Sequence, residues 1–224
     1  MVLNDYRSTA DRFLLPLAKK FVRWNPNTLT MISLAFAILG GMLFLSAQPW
    51  ALVLASIMVI MNSLLDAIDG KVARLTGKAS KRGDFLDHLV DRYSDLAILV
   101  GITLGPWCHD WVGVLAIVGV FMTSYTGTQA QALGQGRNYG GILGRADRMV
   151  FLMLFPLFQA VFSFMGYGGY TMGIPAFPIL TTPPTYTITI MEIMMIWFAI
   201  AGNITALQRA KKAWHYIGRG KKGA

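Results

Sequence analysis

Apolar residues along this chain fall in runs of roughly 18 or more that are almost free of charge, the length a helix needs to cross a bilayer. A span of roughly 20 residues predicts six such helices, near 28–47, 50–70, 84–105, 111–133, 148–167 and 185–208. The segment from Leu3 to Trp24 has a different pattern. There Leu14, Leu15, Leu17, Phe21 and Val22 are interleaved with Arg7, Arg12, Lys19, Lys20 and Arg23, and no small-residue cleavage site follows. That pattern predicts an amphipathic helix lying on the membrane surface. The expected fold is an all-α integral membrane protein with six transmembrane helices, preceded by an N-terminal amphipathic juxtamembrane helix. Residues 1–24 form that helix, 25–215 the six-span domain and 216–224 a basic tail, while the stretch 166–185, rich in Gly, Pro and Thr, reads as an external loop.

Composition agrees and adds orientation. Of 224 residues, 54% are hydrophobic and only 14% charged, against about 25% charged in soluble domains, so a soluble enzyme is excluded. The net charge is nevertheless +9. Its distribution argues against a nucleic-acid partner, because the basic residues are attached to membrane-length segments and form no soluble basic face. Of the 20 Lys and Arg, five lie in 1–24, five between Lys71 and Arg82, three in 137–148 and six in 209–222, with Arg92 inside the third span. The loops around Gln48, from Gly105 to Trp111 and from Gly166 to Thr185 carry none. The positive-inside bias then places both termini and the 71–83 and 134–147 loops on the cytoplasmic side of a multi-pass protein of the cell membrane. A single cysteine, Cys108, excludes an intramolecular disulfide.

Acidic residues concentrate where the chemistry should be. Six of the 11, Asp66, Asp69, Asp84, Asp87, Asp91 and Asp95, fall within 30 positions at the end of the second span and the start of the third. Each charge near membrane depth costs at least ~2.5–3.5 kcal/mol on insertion scales, so something cationic must offset them. Asp66 and Asp69 are i,i+3, and Asp84, Asp87, Asp91 and Asp95 step by three, four and four, so each set lies on one helix face. As an antiparallel pair joined by a short loop, the two faces would bring four carboxylates around one point. An all-oxygen donor set favours Mg²⁺ or Mn²⁺ over zinc, and two such ions about 3.5–4 Å apart would clamp the attacking and leaving oxygens of a phosphoryl transfer. Gly70 lets backbone approach a ligand, Arg74 offers a planar fork to phosphate, and Gly83 would let the third span pack tightly on the second. His88 reads as a packing or hydrogen-bonding residue.

Asp66, Asp69, Gly70, Ala73, Arg74, Gly83, Asp87 and Asp91 match, position for position, the D-x2-D-G-x2-A-R-x8-G-x3-D-x3-D signature of the CDP-alcohol phosphotransferases, and the six-span plan resembles that family over essentially the whole chain. The resemblance implies transfer from a CDP-activated lipid to an acceptor hydroxyl with release of CMP, two divalent metal ions and a homodimer. It implies Asp66, Asp69, Asp87 and Asp91 as metal ligands, with Asp91 also the general base on the acceptor. Thr30, Asp66, Asp69, Gly70, Ala73 and Arg74 would bind the CDP-lipid, although Thr30 is equally well read as a helix N-cap. Asp95 has no place in the signature and reads as a polar helix-interface residue or as a partner of the ligating carboxylates.

A second constellation runs from Ser124 through Gln129 to Gly134, and on through Arg137 to Gly144-Arg145-Ala146-Asp147-Arg148. Arg145 and Arg148, i,i+3, should point two guanidinium groups at one cytoplasmic cavity, with Arg209 as a third. Three arginines suggest a phosphorylated acceptor. The stretch is similar to the branch of the family that uses inositol phosphate, most of all to archaetidylinositol phosphate synthases. That implies CDP-archaeol, with CDP-diacylglycerol as the other lipid, myo-inositol phosphate as acceptor, and Gln129, Arg137, Arg145, Arg148 and Arg209 as its binding residues. Bacterial phosphatidylinositol phosphate synthases resemble the stretch too but carry basic residues near the places of Gly127 and Gln129. Glycerol phosphate, serine or another alcohol remain as acceptors. The reading from a different class is a divalent-cation transporter, for which polar residues should line the full membrane depth. Trp50, Trp107, Trp111 and Trp214 read as interfacial anchors.

Overall fold

The computed structural model describes residues 7–136, 140–173 and 185–220. Seven helices dominate it: α1 (Arg7–Lys20), α2 (Pro26–Phe44), α3 (Pro49–Leu75), α4 (Lys81–Leu104), α5 (Asp110–Ala132), α6 (Arg145–Phe164) and α7 (Ile190–Gly220). Five of them, α2, α3, α5, α6 and α7, are long and apolar enough to cross a membrane. By the same measure α4 falls short despite its 24 residues, because Asp87, Asp91, Arg92 and Asp95 lie on it.

Local signals explain the boundaries. Proline opens both α2 and α3, where a missing N–H costs nothing. Asn25 caps α2 through the Asn27 amide at 3.1 Å, and Ser80 caps α4 through the Gly83 amide at 3.1 Å. Two expectations change here. Thr30 is not an N-cap but sits inside α2, and Gly83 faces Asn27 at the start of α2 rather than α3. The last span also begins later than expected, at Ile190, and runs on as one helix past Lys211 and Lys212 to Gly220. Residues 185–188 instead form β2 (Thr185–Ile188), antiparallel to β1 (Tyr170–Gly173), in the register Tyr170 to Ile188 and Gly173 to Thr185. The ends of the 170–188 segment are thus a short ribbon, consistent with their Tyr, Thr and Ile content.

The helices form a ring in which α2 packs on α3 and α4, α3 on α6, α6 on α7, α7 on α5 and α5 on α4. Contrary to expectation, α3 and α4 scarcely touch each other. They are joined through α2, whose backbone meets that of α4 so closely at Gly41 and Gly101 that a Cβ on Gly101 would overlap the Gly41 backbone. Asn62 ties the three helices together, donating to Ser33 O at 2.9 Å and lying 3.4 Å from Ser94 Oγ. A separate small cluster packs Leu14, Leu17, Ala18 and Phe21 against Leu65, Ile68 and Val72 of α3.

At the end of the bundle away from the aspartates, His109 Nδ1 lies 2.7 Å from Glu192, and Trp107 is buried with its Nε1 donating to Ser46 O. Trp107 is therefore a packing residue, whereas Trp50, Trp111 and Trp214 are exposed. Cys108 is buried beside this pair, and burial pushes its thiol up to about 12. The sign is unfavourable to the thiolate, the reactive form. Maleimide labelling of the folded protein at pH 8 should accordingly be slow and rise to that of a free thiol on denaturation; fast labelling of the native state would contradict this burial.

Candidate active site

The carboxylates meet across the gap that α2 props open between α3 and α4. Asp66 and Asp69 stand on α3, and Asp87, Asp91 and Asp95 follow one face of α4. One oxygen each of Asp66, Asp69 and Asp87 lie within 4.8 Å of one another, and Asp87, His88 and Asp91 form a second such group. The four signature aspartates therefore make two sets that share Asp87, rather than one point. His88 reaches this place, although it is exposed and 3.9 Å from Asp84, which itself faces solvent outside the cluster. Asp69 and Asp91 are only 4% and 3% exposed, so they need partners. Thr30 Oγ1 donates to Asp69 Oδ2 at 2.5 Å, with the Pro26 carbonyl 3.1 Å away as its alternative acceptor.

A compensating cation comes from α6. Arg145 Nη2 donates to Asp66 Oδ2 at 3.1 Å and to Asp91 Oδ1, bridging α3 and α4. Its Nε is buried with no acceptor among the described residues, a donor left for a ligand oxygen. One turn on, buried Arg148 donates to Asp95 Oδ2 at 3.1 Å, and Arg92 reaches the same oxygen at 3.4 Å. Arg145 and Arg148 thus do not point jointly into an open cavity. Each forms a rung to α4.

The start of α6 is fixed by α7. Thr205 Oγ1 accepts the amides of Ile142 and Leu143, both at 3.0 Å, and Arg209 donates from Nε to Gly140 O at 2.9 Å and from Nη1 to Thr123 O at 2.8 Å. Gly141, at φ +133°, passes Thr205 in a conformation that disfavours a side chain. Asp147 Oδ2 then caps α6 by accepting the Gly144 amide at 3.0 Å. Arg209 also explains the departure at Gly127: a Cβ there would lie 3.0 Å from Arg209 Nη1, so the guanidinium fills the space of a side chain.

Of the other expected residues, Gly70 and Ala73 continue the Asp66 face of α3, and the Arg74 guanidinium folds back over Gly70, 3.6 Å from where a Cβ would be. Gln129 is exposed on α5, and Arg137 lies outside the described residues. Two residues of this region escape sequence reasoning. Arg92 looks like a stray span charge until Asp95 is seen between it and Arg148, and Thr205 is an ordinary helix threonine until α6 is placed beside it.

The donor set fits a hard divalent cation. All its α3 ligands are carboxylate oxygens, and ligands at about 2.0–2.1 Å around a Mg²⁺-sized ion span up to about 4.2 Å, which side-chain rotation reaches from the present separations.

Residues 23–206 match the family model described as CDP-alcohol phosphatidyltransferase. The archaetidylinositol phosphate synthase of Pyrococcus horikoshii is 39% identical over 137 residues, 61% of this chain and 71% of that protein. The phosphatidylinositol phosphate synthase of Streptomyces avermitilis is 27% identical over 220 residues, 93% and 81% of the two chains. In fold, the chain is similar to the phosphatidylinositol phosphate synthase of Mycobacterium tuberculosis crystallised with CDP-DAG bound (TM-score 0.67, 24% identity, covering 91% of this chain and 94% of that one), a protein also crystallised with manganese and citrate. With a match over most of its length and acidic groups placed to hold the divalent metal its relatives use, the chain belongs to the CDP-alcohol phosphatidyltransferase family and is a CDP-alcohol phosphotransferase of membrane phospholipid synthesis.

Proposed function

We propose that this enzyme transfers the archaetidyl-type phosphate group of a CDP-lipid to a hydroxyl of a myo-inositol phosphate and releases CMP. The observation that carries the acceptor is the bank of arginines facing the carboxylates, with the buried Nε of Arg145 lacking an acceptor among the described residues. The similarity to an archaetidylinositol phosphate synthase supports CDP-archaeol over CDP-diacylglycerol as donor. The Lys and Arg distribution supports a cytoplasmic site and termini, with α4 as a sixth span and α1 on the membrane surface, and the family resemblance implies a homodimer as the assembly.

Asp66, Asp69 and Asp87 would hold divalent metal, with Asp91 at its edge, and when bound it supplies positive charge against the pyrophosphate and the leaving CMP. Thr30 fixes the rotamer of Asp69. Gly70, Ala73 and Arg74 form the side of α3 on which the CDP moiety rests, and Arg74 offers its fork to a phosphate. The acceptor hydroxyl attacks the β-phosphorus, its proton passes to Asp91, and the bond from that phosphorus to the CMP oxygen breaks. Arg145, in contact with Asp91, sets the orientation of the receiving carboxylate. Arg148, Arg209, Gln129 and Arg137 belong to the acceptor side. Most of the acceleration then comes from positioning and charge complementarity.

The test is a CMP-release panel crossing CDP-archaeol and CDP-diacylglycerol with myo-inositol phosphate, glycerol phosphate, serine and myo-inositol. Turnover should require the phosphorylated inositol and be faster with CDP-archaeol; preferential use of serine or of unphosphorylated inositol would overturn the acceptor. Metal uptake without CMP release under any combination would favour the transporter reading.

A further inference from the structure

We infer that Asp95 is a positioning residue of the acceptor site, holding Arg148 and Arg92 as a paired phosphate-binding unit. This rests on the phosphorylated-acceptor reading and extends it to two residues outside the family signature.

Asp95 is 2% exposed and one turn beyond Asp91 on α4. A buried carboxylate that far into a span is costly, and its single oxygen Oδ2 serves two guanidinium groups from two helices, Arg148 of α6 and Arg92 of α4. The two rungs between α4 and α6 run in step: Asp91 with Arg145, then Asp95 with Arg148. The first lies at the carboxylates that face the donor, so the second marks the next position inward.

The charges there do not balance. Arg148 is within electrostatic range of Arg92 and Arg145, and Arg209 of Arg148 and Arg92, while among the described residues Arg209 itself bonds to the carbonyls of Gly140 and Thr123. Arg92, Arg148 and Arg209 together exceed the one carboxylate of Asp95 by two charges. A phosphate monoester carries about −1.5 to −2 at pH 7, which is the complement of that excess. Arg92 is one-third exposed, so the cluster is open on that side, whereas Arg148 is sealed and can turn only as Asp95 allows. Asp95 therefore trades some positive charge for fixed geometry, as a bidentate phosphate contact requires.

The experiment compares Asp95→Asn with the parent enzyme in KM for each substrate. Loss of a charge-assisted contact should raise KM for myo-inositol phosphate about tenfold, leave the CDP-lipid KM within about twofold and largely spare kcat at saturating acceptor. Because Asp95 acts through Arg148 and Arg92, the acceptor-KM effects of Asp95→Asn and Arg148→Gln should combine less than additively in the double variant. An unchanged acceptor KM, or both KM values and kcat moving together, overturns the assignment. Should Asp95→Asn fail to fold, Arg92→Gln at its partly exposed position decides: a several-fold rise in acceptor KM alone supports the unit, and no change rejects it. A parent enzyme that uses myo-inositol but not its phosphate defeats the acceptor reading before any variant is made, which separates the two failures.

Discussion

Asp91→Asn is expected to bind CDP-lipid as the parent does and to lose about a hundredfold to ten-thousandfold in turnover, the range over which a positioned general base contributes. The substitution is nearly isosteric, and Asp91 is almost fully buried, so the amide keeps the volume and can still accept from Arg145 through its oxygen. What it loses is the ability to take a proton. The remaining carboxylates, Asp66, Asp69 and Asp87, stay within 4.8 Å of one another and retain a cation site. Labelled CDP-lipid binding and single-turnover CMP release, measured side by side, separate the two functions. Full turnover would remove Asp91 from the base role, whereas loss of donor binding with loss of turnover would make it chiefly a metal ligand.

Much of this site is legible along the chain because its residues are local. The steps of three and four from Asp84 to Asp95 place one face of α4, and Asp66, Asp69 and Ala73 do the same for α3. The expected spans likewise find each long helix of the described residues, with ends shifted by at most five residues except at the end of α7, which runs twelve residues beyond 208. What escapes is contact between elements. A short loop suggests that α3 and α4 pack directly, yet close packing at Gly41 and Gly101 lets α2 take both neighbours, and the aspartates of α3 and α4 meet across the gap so created. The partners of Arg145 and Arg148 depend on where α6 crosses α4, a distance of more than 50 residues in sequence that no spacing encodes. The same holds for Thr205 and the 140–144 turn. The ribbon of β1 and β2 is a different kind of miss: alternating Thr, Tyr and Ile at 185–188 are a strand signal, outweighed by the Gly and Pro around them.

Arg145→Met should change stability and metal affinity in opposite directions. Without the guanidinium, Asp66 and Asp91 lose their shared partner, and because Arg145 is about one-third exposed the cost is less than the ~3–5 kcal/mol of breaking a fully buried pair. In metal-free detergent solution the variant should melt well below the parent, while Lys212→Met, at an exposed position of α7, should not. Asp66, however, is both the partner of Arg145 and a member of the three-carboxylate group. Removing Arg145 frees that carboxylate and deletes a competing positive charge, so Mg²⁺ or Mn²⁺ should bind the variant more tightly and restore its melting temperature, by about 2.7 kcal/mol at a hundredfold excess over Kd. Turnover should nevertheless stay low, because the contact that orients Asp91 is gone. A titration of melting temperature against each cation, paired with CMP release, reads all three quantities. If the metal-free variant is as stable as the parent, Arg145 does not compensate the carboxylates; if added cation fails to rescue it, those carboxylates do not form a cation site. Tighter binding coupled to lost activity is the outcome that only a shared carboxylate explains, since an arginine that merely braced the fold would move both in the same direction.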